Sequence, residues 1–146
     1  MEFNPNNPVI KRCLQGMAME EKENLEEASR LFLQAWKEAT DDFETFIAAY
    51  FVARRQKSIP DKLKWLQASL HAALNVNNDN VKGAFPSLYA AIAKCYEDMG
   101  DTVNAKKSIE LSVSYSGKIT DKGLHYICES IRGLGYLRSI SISFGR

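Results

Sequence analysis

The chain has 146 residues, a length that fits one domain. Its 45% hydrophobic and 25% charged residues are typical of a globular protein and argue against a disordered chain. Lysine and arginine total 19 against 18 aspartate and glutamate, so a net charge of +1 gives no overall field that would concentrate nucleic acid, and we expect no nucleic-acid partner.

Residues that favour the position just before a helix recur at a constant interval. Four of them stand at 17-residue steps along the chain: Asn7, Asn24, Asp41 and Ser58. Side-chain oxygens of these types accept hydrogen bonds from backbone N–H groups that lack partners in a first helical turn. Pro8 directly follows the first of them and is well tolerated at the first helical position. We refer to these four residues as the cap ladder. Their regular spacing predicts helices of about 13 to 16 residues joined by short turns.

The apolar residues between these caps follow the period of an α-helix. Over residues 25–39 they recur at intervals of three and four, so they fall on one helical face. The segments after Asp41 and Ser58 have the same spacing. Alternation with a period of two is confined to residues 139–143. The pattern therefore predicts an all-α fold.

Three small side chains and one large apolar side chain form a set in the first two predicted helices. The set consists of Gly16, Ala28, Phe32 and Ala35. The spacing of the last three recurs 77 residues later in Ala105, Ile109 and Ser112. Gly100 and Asp101 predict a tight turn between helices, because glycine can adopt the left-handed terminating conformation and aspartate can cap the next helix.

Two helices per 34 residues is the period of tetratricopeptide repeats, and the chain resembles that family, in particular its small stand-alone bacterial members. The resemblance implies a right-handed α-solenoid of about three helical hairpins, closed by a C-terminal capping helix. Residues 1–146 would form this single domain. The hairpins are expected at about 7–40, 41–75 and 79–117, the capping helix at about 120–137 and a tail at 138–146.

The predicted capping helix begins near Thr120. Its apolar residues share one face and would cover the end of the stack, which otherwise exposes its core. These residues are Leu124, Ile127, Cys128, Ile131 and Leu134. Part of the tail 138–146 alternates serine and isoleucine, a pattern that fits either an edge strand or a frayed end.

In the tetratricopeptide family small side chains let the two helices of a hairpin approach closely, and a large apolar side chain fills the gap. The second hairpin departs from this pattern. Its equivalent places hold Tyr50, Lys62, Leu66 and Ser69, the first two being larger than the pattern requires. Nine extra residues then separate the second hairpin from the third, around residues 75–80. They form either a longer loop, or the start of a fifth helix that begins near Asp79 and is kinked at Pro86, since proline removes a backbone donor. We favour the long, kinked helix.

Sequence signatures of catalysis are missing. Neither His71 nor His125 has a second histidine four residues on, as a helical zinc-protease site would require. Residues 116–120 lack the upstream glycine of a phosphate-binding loop, and isoleucine replaces its serine or threonine. The three cysteines, Cys13, Cys95 and Cys128, are too far apart for a metal site, and we interpret them as reduced core residues. We expect no enzyme, no metal and no cofactor.

The sequence also predicts a location for the protein. It has no run of about 18 apolar residues, so we expect no membrane span and no membrane partner. Residues 1–8 lack the basic and apolar regions of a secretory signal. We therefore expect a cytoplasmic protein.

The resemblance also implies a binding surface. In the tetratricopeptide family the first helix of each hairpin lines a concave groove, which receives an extended peptide or a partner helix. We therefore expect a scaffold that binds a peptide or another protein. The candidate groove residues are Met17, Glu20, Ile47, Phe51, Arg54, Arg55, Lys94, Glu97 and Asp98.

Two interpretations of the groove's cations remain open. In one, Arg54 and Lys94 hold an acidic or C-terminal carboxylate of a peptide, because arginine can bind a carboxylate through two parallel hydrogen bonds. In the other, which we prefer, Arg54 and Arg55 form structural ion pairs with acidic residues across the groove. These acidic residues are Glu20, Glu21, Glu97 and Asp98.

A second class of function stays in competition. The chain could be a sensory or regulatory domain that encloses a small ligand or a signalling peptide, in which case a closed, dry pocket is expected instead of an open groove. Self-association into a homodimer is a further expectation, because three hairpins leave apolar surface at the end of the stack.

Overall fold

A computed structural model describes Asn4 and residues 6–116. Over this part of the chain the predicted all-α fold is confirmed, since every regular element is a helix and no strand occurs. The helices are α1 (Pro8–Glu21), α2 (Leu25–Glu38), α3 (Asp42–Arg54), α4 (Ile59–Leu74), α5 (Asp79–Lys82), α6 (Phe85–Asp98) and α7 (Thr102–Ser116).

The cap ladder is confirmed at all four positions. Asn7 accepts hydrogen bonds from the backbone N–H groups of Val9 (2.8 Å) and Ile10 (3.2 Å). At the start of α2, α3 and α4 the cap accepts from the N–H group three residues on, at distances between 2.8 and 3.3 Å. These caps are Asn24, Asp41 and Ser58. Each helix therefore begins where the sequence supplies an acceptor for its first turn.

The turn between α6 and α7 also has the predicted form. Gly100 has a φ of 78°, in the left-handed region that glycine adopts at low cost. Asp101 accepts a hydrogen bond from the backbone N–H of Asn104 at 3.1 Å and so caps α7. The three residues between α6 and α7, of which these are the last two, thus reverse the chain and bring α7 back along α6.

The helices pack as pairs that are adjacent in the chain. α1 packs on α2, α3 on α4, and α6 on α7. The principal contacts between pairs join each one to the next, through α2 with α3 and α4 with α6. One hydrophobic cluster of buried residues, which extends from Val9 to Cys95, connects these pairs.

Gly16 allows α1 and α2 to come close together. A Cβ atom built on Gly16 would lie 2.3 Å from the Cε1 atom of Phe32, a distance at which something must shift. The Phe32 ring is fully buried and stacks on Phe51 of α3, with centroids 5.0 Å apart. A glycine on α1 thus makes room for a ring that connects the first hairpin to the second.

In the second hairpin and in the third, a serine hydrogen bond joins the two helices of the hairpin. Ser69 of α4 is fully buried and donates a 2.8 Å hydrogen bond to the backbone carbonyl of Phe46 in α3. Ser112 of α7 donates a 2.7 Å bond to the carbonyl of Pro86 in α6. Both serines occupy the place of Ala35 in the first hairpin, and each gives its polar group a partner on the facing helix.

The predicted helix start at Asp79 is confirmed, but the helix from there to Asp98 is interrupted and not continuous. A short helix, α5, ends at Lys82 and a two-residue turn leads into α6, which begins at Phe85. Pro86 consequently lies in the first turn of α6, where its missing N–H group costs nothing. Inside a continuous helix the same proline would have removed a hydrogen bond and clashed with the preceding turn.

Several predicted features lie outside the described residues. They are the capping helix at 120–137, the tail at 138–146, and the side chains of His125 and Cys128. Among the helices that the structure describes, none combines the length and the apolar character that a bilayer span requires.

Candidate functional site

The apolar members of the predicted groove lie in the core. Met17 is 5%, Ile47 1% and Phe51 0% exposed. Phe51 is covered by the Phe32 ring on α2. In this structure the three side chains are packed by the chain itself, so a partner would have to use the polar members.

Three of those polar members meet at one point between α1 and α3. The Arg54 guanidinium donates to both oxygens of the Glu20 carboxylate, its Nε atom at 3.2 Å from Oε2 and its second nitrogen in a short hydrogen bond to Oε1. The Nε atom of Arg55 lies 3.0 Å from the same Oε2. The interpretation of these arginines as partners of Glu20 across the helices is confirmed.

Helix geometry explains why the three side chains converge. Arg54 is the last residue of α3 and Arg55 follows it, a place where positive charge is favoured by the helix dipole. Glu20 lies in the last turn of α1, which packs against α3. The Arg54 guanidinium also sits 4.7 Å from the centroid of the Phe51 ring, one turn earlier on the same helix.

The cluster carries more positive than negative charge. One carboxylate, Glu20, serves two guanidinium groups. The side chains are only partly exposed, at 15% for Glu20 and 25% for each arginine. Limited access of water strengthens electrostatic interactions, so the excess charge here acts more strongly on a neighbouring anion than it would on an open surface.

A cleft of about 670 Å³ opens beside this cluster, between the start of α2 and the end of α3. Three cations and one carboxylate stand among its lining side chains. The lining residues are Leu25, Glu26, Ser29, Arg54, Arg55, Gln56 and Lys57. Leu25 is 49% exposed and gives the cleft an accessible apolar side chain.

Most of the cleft was not anticipated from the sequence. Arg54 and Arg55 were predicted site residues, whereas Leu25, Ser29 and Lys57 were not. One signal was available: residues 54–57 read Arg-Arg-Gln-Lys, so three of four consecutive residues are cationic at the end of a helix. The contribution of α2 had no such signal, because it depends on how α2 and α3 pack.

The remaining predicted residues lie on α6. Lys94 pairs with Asp98 one turn further along the helix, with 3.0 Å between Nζ and Oδ1, and a hydrogen bond to that carboxylate raises the pKa of Lys94. Glu97 is exposed on the same helix. Because α6 packs mainly against α4 and α7, these residues are not part of the cluster around Glu20.

The described part of the chain contains few other side chains that could react or bind a metal ion. Cys13 is fully buried, and its burial raises the pKa of the thiol, an effect that the nearby Arg54 charge only partly offsets. Within Asn4 and residues 6–116, no three His, Cys, Asp or Glu side chains stand close enough to hold a metal ion.

Comparison with protein-family models, with curated proteins and with solved structures gives no match to this chain. The cleft beside Arg55 combines cationic side chains with the exposed apolar side chain of Leu25.

Proposed function

We propose that the chain is a protein-interaction scaffold of tetratricopeptide type, which binds an acidic segment of a peptide or partner protein in the cleft between α2 and the end of α3. One observation carries the proposal: Arg54, Arg55 and Lys57 line the cleft with one lining carboxylate, Glu26, and the two arginines share one further carboxylate, Glu20, so positive charge remains in excess. An extended acidic segment would meet both positive charge and an exposed apolar side chain there.

The order of packing supports a stacked scaffold. Each hairpin packs on the next one along the chain, as in a right-handed solenoid whose repeats contact their neighbours. Stacking of this kind leaves clefts at the surface between successive hairpins. The cleft of about 670 Å³ lies at such a junction, where the first hairpin meets the second.

The contacts around Glu20 give Arg54 and Arg55 different roles in this proposal. Arg54 directs two hydrogen bonds to Glu20 and is held in place by them. Arg55 lies 3.0 Å from Glu20 through Nε but makes no hydrogen bond with that atom, and its side chain lines the cleft. A guanidinium group can bind a carboxylate through two parallel hydrogen bonds. Arg55 is therefore the main anchor in this proposal.

The anchor pair consequently differs from the one that the sequence suggested. Lys94 pairs with Asp98 on α6, away from the cluster, whereas Lys57 is exposed and lines the cleft next to Arg55. Arg55 and Lys57 replace Arg54 and Lys94 as the groups that meet the ligand's carboxylates.

The size of the cleft supports a second candidate. Sites for small molecules typically enclose about 300 to 1,000 Å³. At about 670 Å³ the cleft could accept a small organic anion, as in a sensory or regulatory domain. Its exposed rim, with Leu25 49% accessible, favours a longer segment that crosses the cleft and continues beyond it.

Selection from a random peptide library, carried out on the full chain, tests the proposal. We expect the selected peptides to be enriched in Asp and Glu next to an apolar residue. For a selected peptide, Arg55→Ala should raise the Kd by about tenfold, equivalent to about 1.4 kcal/mol, and Lys57→Ala by a smaller factor. The matched control is Lys106→Ala, an exposed cation on α7, which should leave the Kd unchanged.

Two results would overturn the proposal. One is a failure to select any peptide that binds more tightly than about 0.1 mM, the range of non-specific contact. The other is a selected peptide whose Kd is the same for the wild type and Arg55→Ala. Binding of small carboxylates or phosphates that depends on Arg55, without peptide binding, would support the sensory candidate instead.

A further inference from the structure

One carboxylate of the chain itself already faces both arginines of the cleft. The Glu20 carboxylate accepts a hydrogen bond from Nε of Arg54 at 3.2 Å and a second, short one from a terminal nitrogen of the same side chain. Its Oε2 atom also lies 3.0 Å from Nε of Arg55. Glu20 belongs to the last turn of α1 and is not among the residues that line the cleft. An internal carboxylate thus stands beside the groups that would meet a ligand.

The two arginines differ in how firmly Glu20 holds them. Arg54 is fixed by two hydrogen bonds to the carboxylate and lies over the Phe51 ring. The Nε atom of Arg55 is buried and has no hydrogen-bond partner within the described part of the chain, although Glu20 is close to it. A buried donor without a partner is unfavourable. Arg55 can therefore turn toward a ligand without breaking a hydrogen bond at Nε, and a ligand carboxylate would supply the missing acceptor.

Glu20 also lowers the positive charge that a ligand meets. Arg54, Arg55 and Lys57 bring three positive charges to this place, and Glu20 and Glu26 bring two negative ones. Loss of the charge on Glu20 would raise the excess from one positive charge to two. The Glu20 side chain is 15% exposed, so water and salt screen its charge less than they screen the charge of the exposed Glu26. Glu20 therefore repels an incoming carboxylate as well as contacting its partners.

We propose that Glu20 is an internal competitor that regulates the affinity of the cleft: Arg55 leaves Glu20 when it binds an acidic segment, and the charge of Glu20 opposes that exchange. The inference rests on the proposed function, since it concerns the same cleft and the same class of ligand. It differs in sign from a purely structural role. If Glu20 served only to hold Arg55 in position, removal of its charge would weaken binding, whereas removal of a competitor strengthens it.

Selection from the random peptide library, carried out in parallel on the full wild-type chain and on Glu20→Gln, tests the competition. Glutamine keeps the size of the side chain and an oxygen that can accept from Arg54, but it carries no charge. For a selected acidic peptide we expect a Kd about tenfold lower with Glu20→Gln than with the wild type. The matched control is Glu110→Gln, which removes an exposed carboxylate on α7 and should leave the Kd unchanged.

A double-mutant cycle tests whether the competition acts through Arg55. In a chain that carries Arg55→Ala, the change Glu20→Gln should lower the Kd by about threefold or less, because only the general effect of charge remains. Equal factors in the two backgrounds would show that Arg55 is not the group for which Glu20 and the ligand compete.

A measurement on the wild type alone does not depend on the folding of any variant. The Nε–H resonances of the arginine side chains can be followed by NMR while the selected peptide is added, and Arg55→Lys identifies the resonance of Arg55 by its loss. At saturation the Arg55 resonance should shift strongly, because its donor gains a partner. The Arg54 resonance should shift less, because its hydrogen bonds to Glu20 remain.

The outcomes separate this inference from the proposed function. A Kd for Glu20→Gln that equals or exceeds the wild-type value, or an Arg55 resonance that stays in place at saturation, would overturn the competition and leave peptide binding intact. If neither chain selects a peptide, both proposals fall. Peptides that bind only Glu20→Gln would support the competition and contradict the function proposed for the wild type.

Discussion

Asn7 and Glu44 connect the start of α1 to the start of α3. The Oδ1 atom of Asn7 accepts a hydrogen bond from the backbone N–H of Val9 in its own helix. The Nδ2 atom of the same side chain donates a hydrogen bond to Oε2 of Glu44, with 2.6 Å between the two atoms. The other carboxylate oxygen of Glu44 accepts from the backbone N–H and from the hydroxyl of Thr40, both at 2.9 Å. A carboxylate that is only 8% exposed therefore joins two helix starts and a loop.

Glu44→Gln should lower stability in a way that depends on pH. Burial raises the pKa of Glu44, but hydrogen bonds from Thr40 and Asn7 outweigh it and hold the pKa below its ordinary value of 4.5. Such a carboxylate stabilises the fold above pH 4.5, and this contribution is lost as the pH falls through the folded-state pKa. Urea unfolding at neutral pH should show a loss of about 1 to 3 kcal/mol, which shrinks on acidification toward pH 3.

The control for Glu44 is Glu110→Gln, which changes an exposed carboxylate on α7. Its effect on the free energy of unfolding should be small at every pH. A difference between wild type and Glu44→Gln that stays constant from pH 7 to pH 3 would contradict the ionised role of this side chain.

Gly16→Ala should destabilise the protein, although alanine favours helices by about 1 kcal/mol over glycine. The added methyl group would meet the Phe32 ring at 2.3 Å, and that ring is confined by Phe51. Overpacking of this kind typically costs about 1 to 3 kcal/mol. Thermal unfolding should show a lower Tm, and Phe32→Leu in the same chain should recover part of the loss. A Tm that rises on Gly16→Ala alone would refute the close approach.

Ser69→Ala should lower the free energy of unfolding by about 1 kcal/mol, the usual net worth of one hydrogen bond. Ser69 is fully buried and its bond to the Phe46 carbonyl joins α3 to α4. Ser114→Ala is the matched control, because Ser114 is exposed and bonds only within its own helix, to the carbonyl of Leu111. Equal effects of the two variants in chemical unfolding would show that the link between the helices contributes nothing.

Cys13 should resist alkylation in the folded protein. The thiolate is the reactive form, and burial both raises the pKa of this thiol and blocks access to it. Iodoacetamide labelling followed by peptide mass spectrometry should find Cys13 unmodified until the protein is unfolded in urea. Cys95, which is 3% exposed and has a pKa raised by burial, should also be protected. Rapid labelling of Cys13 in the native protein would mean that α1 opens readily.

Features of the fold that depend on a few neighbouring residues could be predicted from the sequence. A cap needs a side-chain acceptor and three following residues, so Asn7, Asn24 and Asp41 are recognisable in isolation. The same holds for the left-handed turn at Gly100. Each helix start that the 17-residue ladder predicted is a helix start in the structure.

Burial of the groove residues could not be predicted, because it depends on contacts between distant parts of the chain. Apolar spacing identifies a helical face but does not say whether a second helix or a partner covers it. Ile47 and Phe51 fit either role in the sequence, and packing places both in the core. The cleft required Leu25 of α2 to stand beside Arg55 of α3, a juxtaposition that only the packing of two hairpins creates.

Chemical-shift mapping tests the proposed binding site most directly. The ¹⁵N-labelled full chain would be titrated with a peptide selected from the library, and the backbone amide shifts followed to saturation. We predict that the largest changes cluster at residues 25–29 and 54–57, which line the cleft, and that Arg55→Ala moves the midpoint of the titration to an about tenfold higher peptide concentration. Saturable changes centred on α6 or α7, with residues 54–57 unaffected, would contradict it.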